Sequence, residues 1–236
     1  MNQPNSRMSW DHPDVSRYEQ TISRKIPGYL LLYDMTARLL TSLLKHTGES
    51  ARVLVVGAGG GQELVTLGRR HAHWTFTGLD PSSRMLDLAK QRVEQALPGD
   101  RVTYIEGTVD RLPEQPSYDA ATCLLVLHFV KGTEAKQKLL RGIAERLKPG
   151  APVFVASING DPESPAFSSQ MQAWKSHMLD NGIPLQDWER FAASIGNESD
   201  PVPPAVVVDL LTEAGFSQIS CFFGAYLIDA WFAVKA

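Results

Sequence analysis

Cysteine is nearly missing from this chain: two residues, Cys123 and Cys221, occur among 236. Both lie in apolar runs and no C-x-x-C spacing is present, which excludes a disulfide framework and a thiolate metal site and predicts two buried, reduced thiols. No apolar run approaches the ~18 residues of a membrane helix, and MNQPNSRMSW at the amino terminus lacks the apolar centre of a signal peptide. The expectation is a cytoplasmic protein with no membrane partner. Charge of one sign is also scarce. With 23 Lys and Arg against 26 Asp and Glu, no broad basic field exists to hold a polyphosphate backbone, so direct binding of large nucleic acid is not expected. Repeats and low-complexity tracts are absent. What is there is an ordinary globular composition in a chain long enough for one substantial α/β core plus a lid.

The stretch around which the rest is organised is VLVVGAGGGQE, residues 53–63. It reads as a buried strand, a tight turn through Gly57, Gly59, Gly60 and Gly61, and the start of a helix. Glycines let backbone turn sharply and approach a ligand with no Cβ between them, and a helix start offers free N–H groups and a positive dipole end. The loop is a candidate nucleotide cradle. A dinucleotide fingerprint has its third glycine three residues after the second; here that place is Gln62, which counts against a nicotinamide oxidoreductase.

Residues 74–80, WTFTGLD, form a second strand ending on Asp80, roughly 20 residues beyond the glycine loop, where an acid receives both ribose hydroxyls. Ser82 or Ser83 caps the helix that follows. A third strand, 101–105, leads into EGTVDRLP, whose Thr108 and Val109 are placed to offer a hydroxyl, an N–H and an apolar surface to a base. The nearly continuous apolar run 118–126 is a central strand covered on both faces. It brings Leu125 to the cofactor mouth and puts His128 just beyond, where a proton acceptor could serve. Strand five is 152–158, after the Lys148-Pro149-Gly150 break.

Four regions follow. Residues 1–48 make an amino-terminal arm, with a short helix around 13–23, and a capping helix that starts at Tyr29, presents Leu32, Met35, Leu39, Leu40 and Leu43 at helical spacing and ends near Gly48. Tyr29 and Tyr33 on it can face a ligand. Residues 49–158 are the binding core. Residues 159–204 are an insertion with two helical patterns, 166–180 and 185–195, suited to a substrate lid in which Trp174 and Arg190 are candidate acceptor contacts. Residues 205–236 add a helix and a hairpin turning at Gly224, an exposed element through which two copies of the chain can pair. The predicted fold is α/β: a doubly wound, seven-stranded, mainly parallel Rossmann-like sheet with an antiparallel carboxy-terminal strand.

Together, the spacing Gly57-x-Gly59-x-Gly61, Asp80, the Glu106-Gly107 loop, the Leu147-Lys148-Pro149-Gly150 break and the Ala214-Gly215-Phe216 hairpin resemble class I S-adenosylmethionine-dependent methyltransferases over nearly the whole chain. IPGY at 26–29 and CFFGAYLIDAWFAVKA at the end resemble, more narrowly, the carboxy-S-adenosylmethionine synthase family that serves tRNA wobble-uridine modification, and its methyltransferase relatives. The resemblance implies S-adenosylmethionine as cofactor and S-adenosylhomocysteine as product. It implies that Gly57, Gly59 and Gly61 embrace the methionine part, Asp80 the ribose, Thr108 and Val109 the adenine, and that Tyr29 closes over the whole. Three departures stand out. The acid usual two residues before the first glycine is Val55, the aspartate usual at the adenine loop is Thr108, and the asparagine of the synthase's fourth strand is Leu124. Arg190 falls near the lid arginine with which the synthase holds its extra carboxylate. The readings are methyl transfer to a small-molecule acceptor with His128 as the candidate base, carboxy-S-adenosylmethionine synthesis, or a non-catalytic cofactor-binding scaffold. No metal is called for.

Overall fold

A computed structural model describes residues 21–45 and 50–236. The arm before residue 21, most of the short helix expected at 13–23, and the expected helix end near Gly48 lie outside the described residues. Residues 21–25 are helical, and Gly28, at φ 68°, turns the chain into α1 (Tyr29–Leu43). Then follow β1 (Arg52–Val56), α2 (Gln62–Arg70), β2 (Thr75–Asp80), α3 (Ser83–Ala96), β3 (Val102–Glu106), β4 (Ala120–Leu124), α4 (Thr133–Arg146) and β5 (Pro152–Ile158). The insertion holds α5 (Pro165–Asp180) and α6 (Leu185–Ser194), and the chain closes with α7 (Pro204–Glu213), β6 (Phe216–Ala225) and β7 (Ile228–Lys235).

The seven strands lie in the order β3-β2-β1-β4-β5-β7-β6. Strands β1 to β5 are parallel, and β7 runs antiparallel between β5 and β6. This is the expected doubly wound sheet. Its period-two alternation sorts side chains into two cores. Val53 and Val55 of β1 pack under α1, α2 and α3, whereas Leu54 and Val56 pack against α4 and α7 on the other face. The strand order reverses between β1 and β4, so a crevice opens at their carboxyl ends.

Three local expectations are corrected. The hairpin turns at Tyr226 and Leu227 and not at Gly224, because Ala225 pairs with Ile228 and Gly224 with Asp229 inside the ladder; Tyr226 itself takes the left-handed conformation at φ 52°. Cys123 is buried, but Cys221 is exposed, since β6 is the sheet edge and turns that residue outward. Trp174 is fully buried and donates its indole N–H to Lys25 O at 2.7 Å. It pins the insertion to the segment before α1. Trp188 is buried as well. No helix among the described residues is long and apolar enough to cross a membrane.

Candidate active site

The crevice becomes a cavity of about 330 Å³ where the glycine loop, the end of β2, the end of β4, the start of α1 and the insertion meet. The loop turns on three left-handed glycines, Gly57 (φ 73°), Gly59 (φ 49°) and Gly61 (φ 79°), and is held from below by the Ala58 N–H donating to Leu79 O at 2.7 Å. Arg92 on α3 holds it from the side, donating to Gly60 O at 3.3 Å and to Gln62 Oε1 at 2.6 Å. The glycines have different reasons for being there. A Cβ on Gly57 would stand 2.2 Å from Val126 Cγ2, and one on Gly61 would stand 3.0 Å from Ala89 Cα of α3. At Gly59 the nearest obstacle is Met85 Cε at 3.5 Å. Gly57 and Gly59 line the cavity. Gly61 does not; it serves the packing of α2 on α3, which corrects its expected role in embracing a ligand.

Asp80 lines the cavity and is only 8% exposed. Its Oδ2 accepts from Gly59 N–H and its Oδ1 from Ser82 N–H, each at 2.9 Å. The acid that follows β2 thus fixes the glycine loop and its own turn, and a carboxylate with about four acceptor positions can receive ribose hydroxyls in addition. Ser82 caps α3, accepting from Met85 N–H at 3.3 Å. Leu125 follows β4 in the left-handed region, φ 60°, with its N–H donating to Ala156 O at 2.7 Å. That conformation costs a residue with a Cβ about 1–3 kcal/mol and marks functional ends of strands. Leu125 lines the cavity, as do Tyr29 and Tyr33, whose rings meet edge to face at 4.8 Å.

His128 also lines the cavity but is not built as a base. Its Nδ1 accepts the Ile158 N–H at 3.2 Å, which puts the neutral ring's proton on Nε2. Burial, with the Lys136 ammonium acting in the same sense, pushes the imidazole down to about 3. A ring that is neutral, with its one lone pair already engaged, supports β5 and offers a donor; the expected proton acceptor is withdrawn.

Thr108 and Val109 do not line the cavity. Thr108 is exposed and donates to Asp110. Val109 is buried in the opposite core, where its Cγ1 would lie 2.5 Å from a Cβ added at Gly142 of α4. The short helical turn after β3 drops away from the cleft toward α4. Beside Asp80 the wall is made instead by Pro81 and Met85. Trp174, buried on the inner side of α5, does not line the cavity either. Arg190 stands at the rim and pairs with Asp187 at 3.5 Å, as Lys25 does at 3.5 Å from across the mouth. Met178 and Phe191 turn apolar surface from the insertion into the cavity.

Among the lining residues without a sequence forecast is a buried acid. Glu63, second in α2, is 4% exposed, and its Oε1 has no hydrogen-bond partner. Burial pushes its carboxyl up to about 8, with the Thr122 hydroxyl, near but outside hydrogen-bond geometry, opposing the rise. Leu67 shares its helix face four residues on, the one sign in the sequence that this acid turns inward.

Residues 54–153 match a family described as a methyltransferase domain. The ubiquinone biosynthesis O-methyltransferase of Marinobacter nauticus is 30% identical over 213 residues, 87% of this chain and 82% of that protein. The protein of the same name from Dechloromonas aromatica is 33% identical over 142 residues, a match that spans 57% of its length. The solved structure of magnesium protoporphyrin IX methyltransferase from Synechocystis PCC 6803 with bound SAH has a TM-score of 0.67 at 16% identity and is covered to 96%, as is this chain.

Proposed function

This chain belongs to the class I S-adenosylmethionine-dependent methyltransferases, and from that premise we propose that it methylates a hydroxyl oxygen of a small, largely apolar acceptor held under the insertion. The observation that carries this reading is the single cavity shared by two kinds of wall. One side is polar backbone and a carboxylate, from Gly57, Gly59 and Asp80; the other is apolar, from Tyr29, Tyr33, Met178 and Phe191.

The polar side fits the cofactor. Gly59 has room above it where a Cβ would otherwise stand, and Asp80 is held by two backbone N–H groups so that its carboxylate faces the cavity. S-adenosylmethionine supplies a methyl group already activated on a sulfonium. The chain's residues therefore have to bind, align and exclude water, and alignment alone is worth roughly 7–11 kcal/mol. Asp80 and the glycine loop hold one partner. The two tyrosines and the apolar residues of the insertion dry and shape the place of the other. The relatives' names, ubiquinone biosynthesis O-methyltransferase, support a ring hydroxyl of a quinone precursor as the acceptor class.

Carboxy-S-adenosylmethionine synthesis is the second reading, and Arg190 at the rim is the observation in its favour. Leu124, apolar and buried, and the pairing of Arg190 with Asp187 weigh against it. The mass of the ligand retained on purification separates the two, since the synthase product is heavier by one carboxylate. Calorimetric titration with S-adenosylhomocysteine tests the methyltransferase reading. Binding is expected, and Asp80→Ala should weaken it roughly 10- to 100-fold through lost charge-assisted hydrogen bonds. No binding, and no S-adenosylhomocysteine formed in a screen of hydroxyarenes, would leave a non-catalytic scaffold.

A further inference from the structure

Glu63 is a buried carboxyl that nothing above puts to use. It lies on the cavity wall among Gly57, Ala58, Gly59 and Gly60. Among the described residues no Lys, Arg or His pairs with it, and Oε1 is left without a partner. Native structures seldom keep such a group unless something compensates it, because a buried, unpaired carboxyl costs several kcal/mol. Protonation spares the charge but leaves Oε1 unpartnered, and a cationic or donating group entering the cavity supplies what is missing.

The strand beside it lacks the group that the glycine-loop pattern leads one to expect. Val55, two residues before Gly57, is fully buried and apolar and pairs across the sheet with Thr122 of β4. Glu63 comes from α2 to that same Thr122, whose hydroxyl also lacks a partner. The carboxyl missing from the strand is restored at the neighbouring place by the helix. On the cofactor reading, on which this inference rests, we propose that Glu63 binds the α-ammonium group of the cofactor's methionine portion, a contact that Val55 cannot make.

Proton release on binding follows from the same geometry. With its carboxyl pushed up to about 8 by burial, Glu63 is mostly protonated at pH 7 without ligand, and an ammonium alongside it favours the ionised form. Binding then releases a proton. The other groups facing the site are Asp80 on β2, His128 beyond β4, Tyr29 and Tyr33 on α1, and Lys25, Asp187 and Arg190 at the rim; Cys123 of β4 lies across the sheet in the opposite core. Burial holds Cys123 and His128 neutral around pH 7.

The test is titration calorimetry on the full chain with two ligands, in two buffers of different ionisation enthalpy. S-adenosylhomocysteine carries the α-ammonium; 5′-methylthioadenosine keeps the adenosine and sulfur and lacks the amino-acid portion. Wild type should release protons on binding the first and not the second. Glu63→Gln should weaken S-adenosylhomocysteine roughly 10- to 100-fold, abolish the proton release, and leave methylthioadenosine within about twofold of wild type. Proton release by wild type is readable even if the variant fails to fold. Equal affinity of variant and wild type for S-adenosylhomocysteine, equal loss of both ligands in a folded variant, or no proton release by wild type would overturn the assignment to Glu63. Failure of wild type to bind either ligand would instead bring down the cofactor reading, and this assignment with it.

Discussion

Among the residues of the glycine loop, identical substitutions should have unequal effects. Gly57→Ala combines a left-handed φ with a Cβ 2.2 Å from Val126, so it should lower stability by about 2 kcal/mol or more and disturb the cofactor wall. Gly61→Ala presses on Ala89 backbone at 3.0 Å and should destabilise the α2–α3 packing. Gly59→Ala has space, and only its backbone conformation resists, at about 1 kcal/mol. Chemical denaturation of the three variants should give the order Gly57, Gly61, Gly59; a reversed order would mean that the contacts do not set the tolerance. Two buried titratable groups of the cavity wall, His128 and Glu63, pull stability in opposite directions with pH. His128 falls from 6.5 to about 3 on folding, so the unfolded chain binds the extra proton between these values and stability declines as pH drops below 6.5. Glu63 rises from 4.5 to about 8, so the folded chain binds the extra proton and stability declines as pH climbs from 4.5 to 8. Between about 6.5 and 8 only the Glu63 slope remains. The melting temperature should fall across that window in wild type and stay flat in Glu63→Gln.

At the scale of elements, the insertion is fastened to the core at both ends. Trp174 of α5 donates to Lys25 O, and Asp200, where the insertion ends, accepts from the nearly fully buried Lys136 of α4 at 2.6 Å and from Gly132 N–H at 2.7 Å. Asp200 N–H in turn donates to His128 O at 2.6 Å, tying the insertion to the loop beyond β4. Trp174→Phe removes one hydrogen bond and should cost about 1 kcal/mol in urea unfolding with S-adenosylhomocysteine affinity unchanged. Asp200→Ala leaves the buried Lys136 ammonium with Val130 O as its remaining partner and should cost roughly 1–3 kcal/mol. An effect of Trp174→Phe on cofactor affinity larger than its effect on stability would show that the tryptophan touches the ligand after all. Most elements were legible beforehand because the signal is local: the apolar run 152–158 is β5 (Pro152–Ile158), the Lys148-Pro149-Gly150 break ends α4, and Ser82 caps α3. The hairpin turn is not legible locally: Gly224 is the stronger turn residue, yet pairing with β7 carries it into the ladder and leaves Tyr226 to turn.

For the whole molecule, a cofactor bound only by the folded chain should stabilise it by mass action, about 2.7 kcal/mol at 100 times its dissociation constant. A thermal melt with S-adenosylhomocysteine should therefore shift upward with concentration, and Asp80→Ala should need more ligand for the same shift. No shift at any concentration would deny the folded state a binding site. The sequence alone determined the order of strands and helices, the parallel sheet, and the place of the cleft at the carboxyl ends of β1, β2 and β4, because these follow from hydrophobic period, glycine chemistry and the handedness of crossover connections. It placed Asp80 beside the cleft for the same reason: an acid closing a strand has little choice of direction. Tertiary structure decided which way the loops face. Val109 is drawn under Gly142 of α4, Trp174 is turned to Lys25, His128 spends its lone pair on Ile158, and Glu63 is carried inward to Thr122. Each of these outcomes depends on a partner 30 or more residues away in the chain, and no local pattern encodes such a distance.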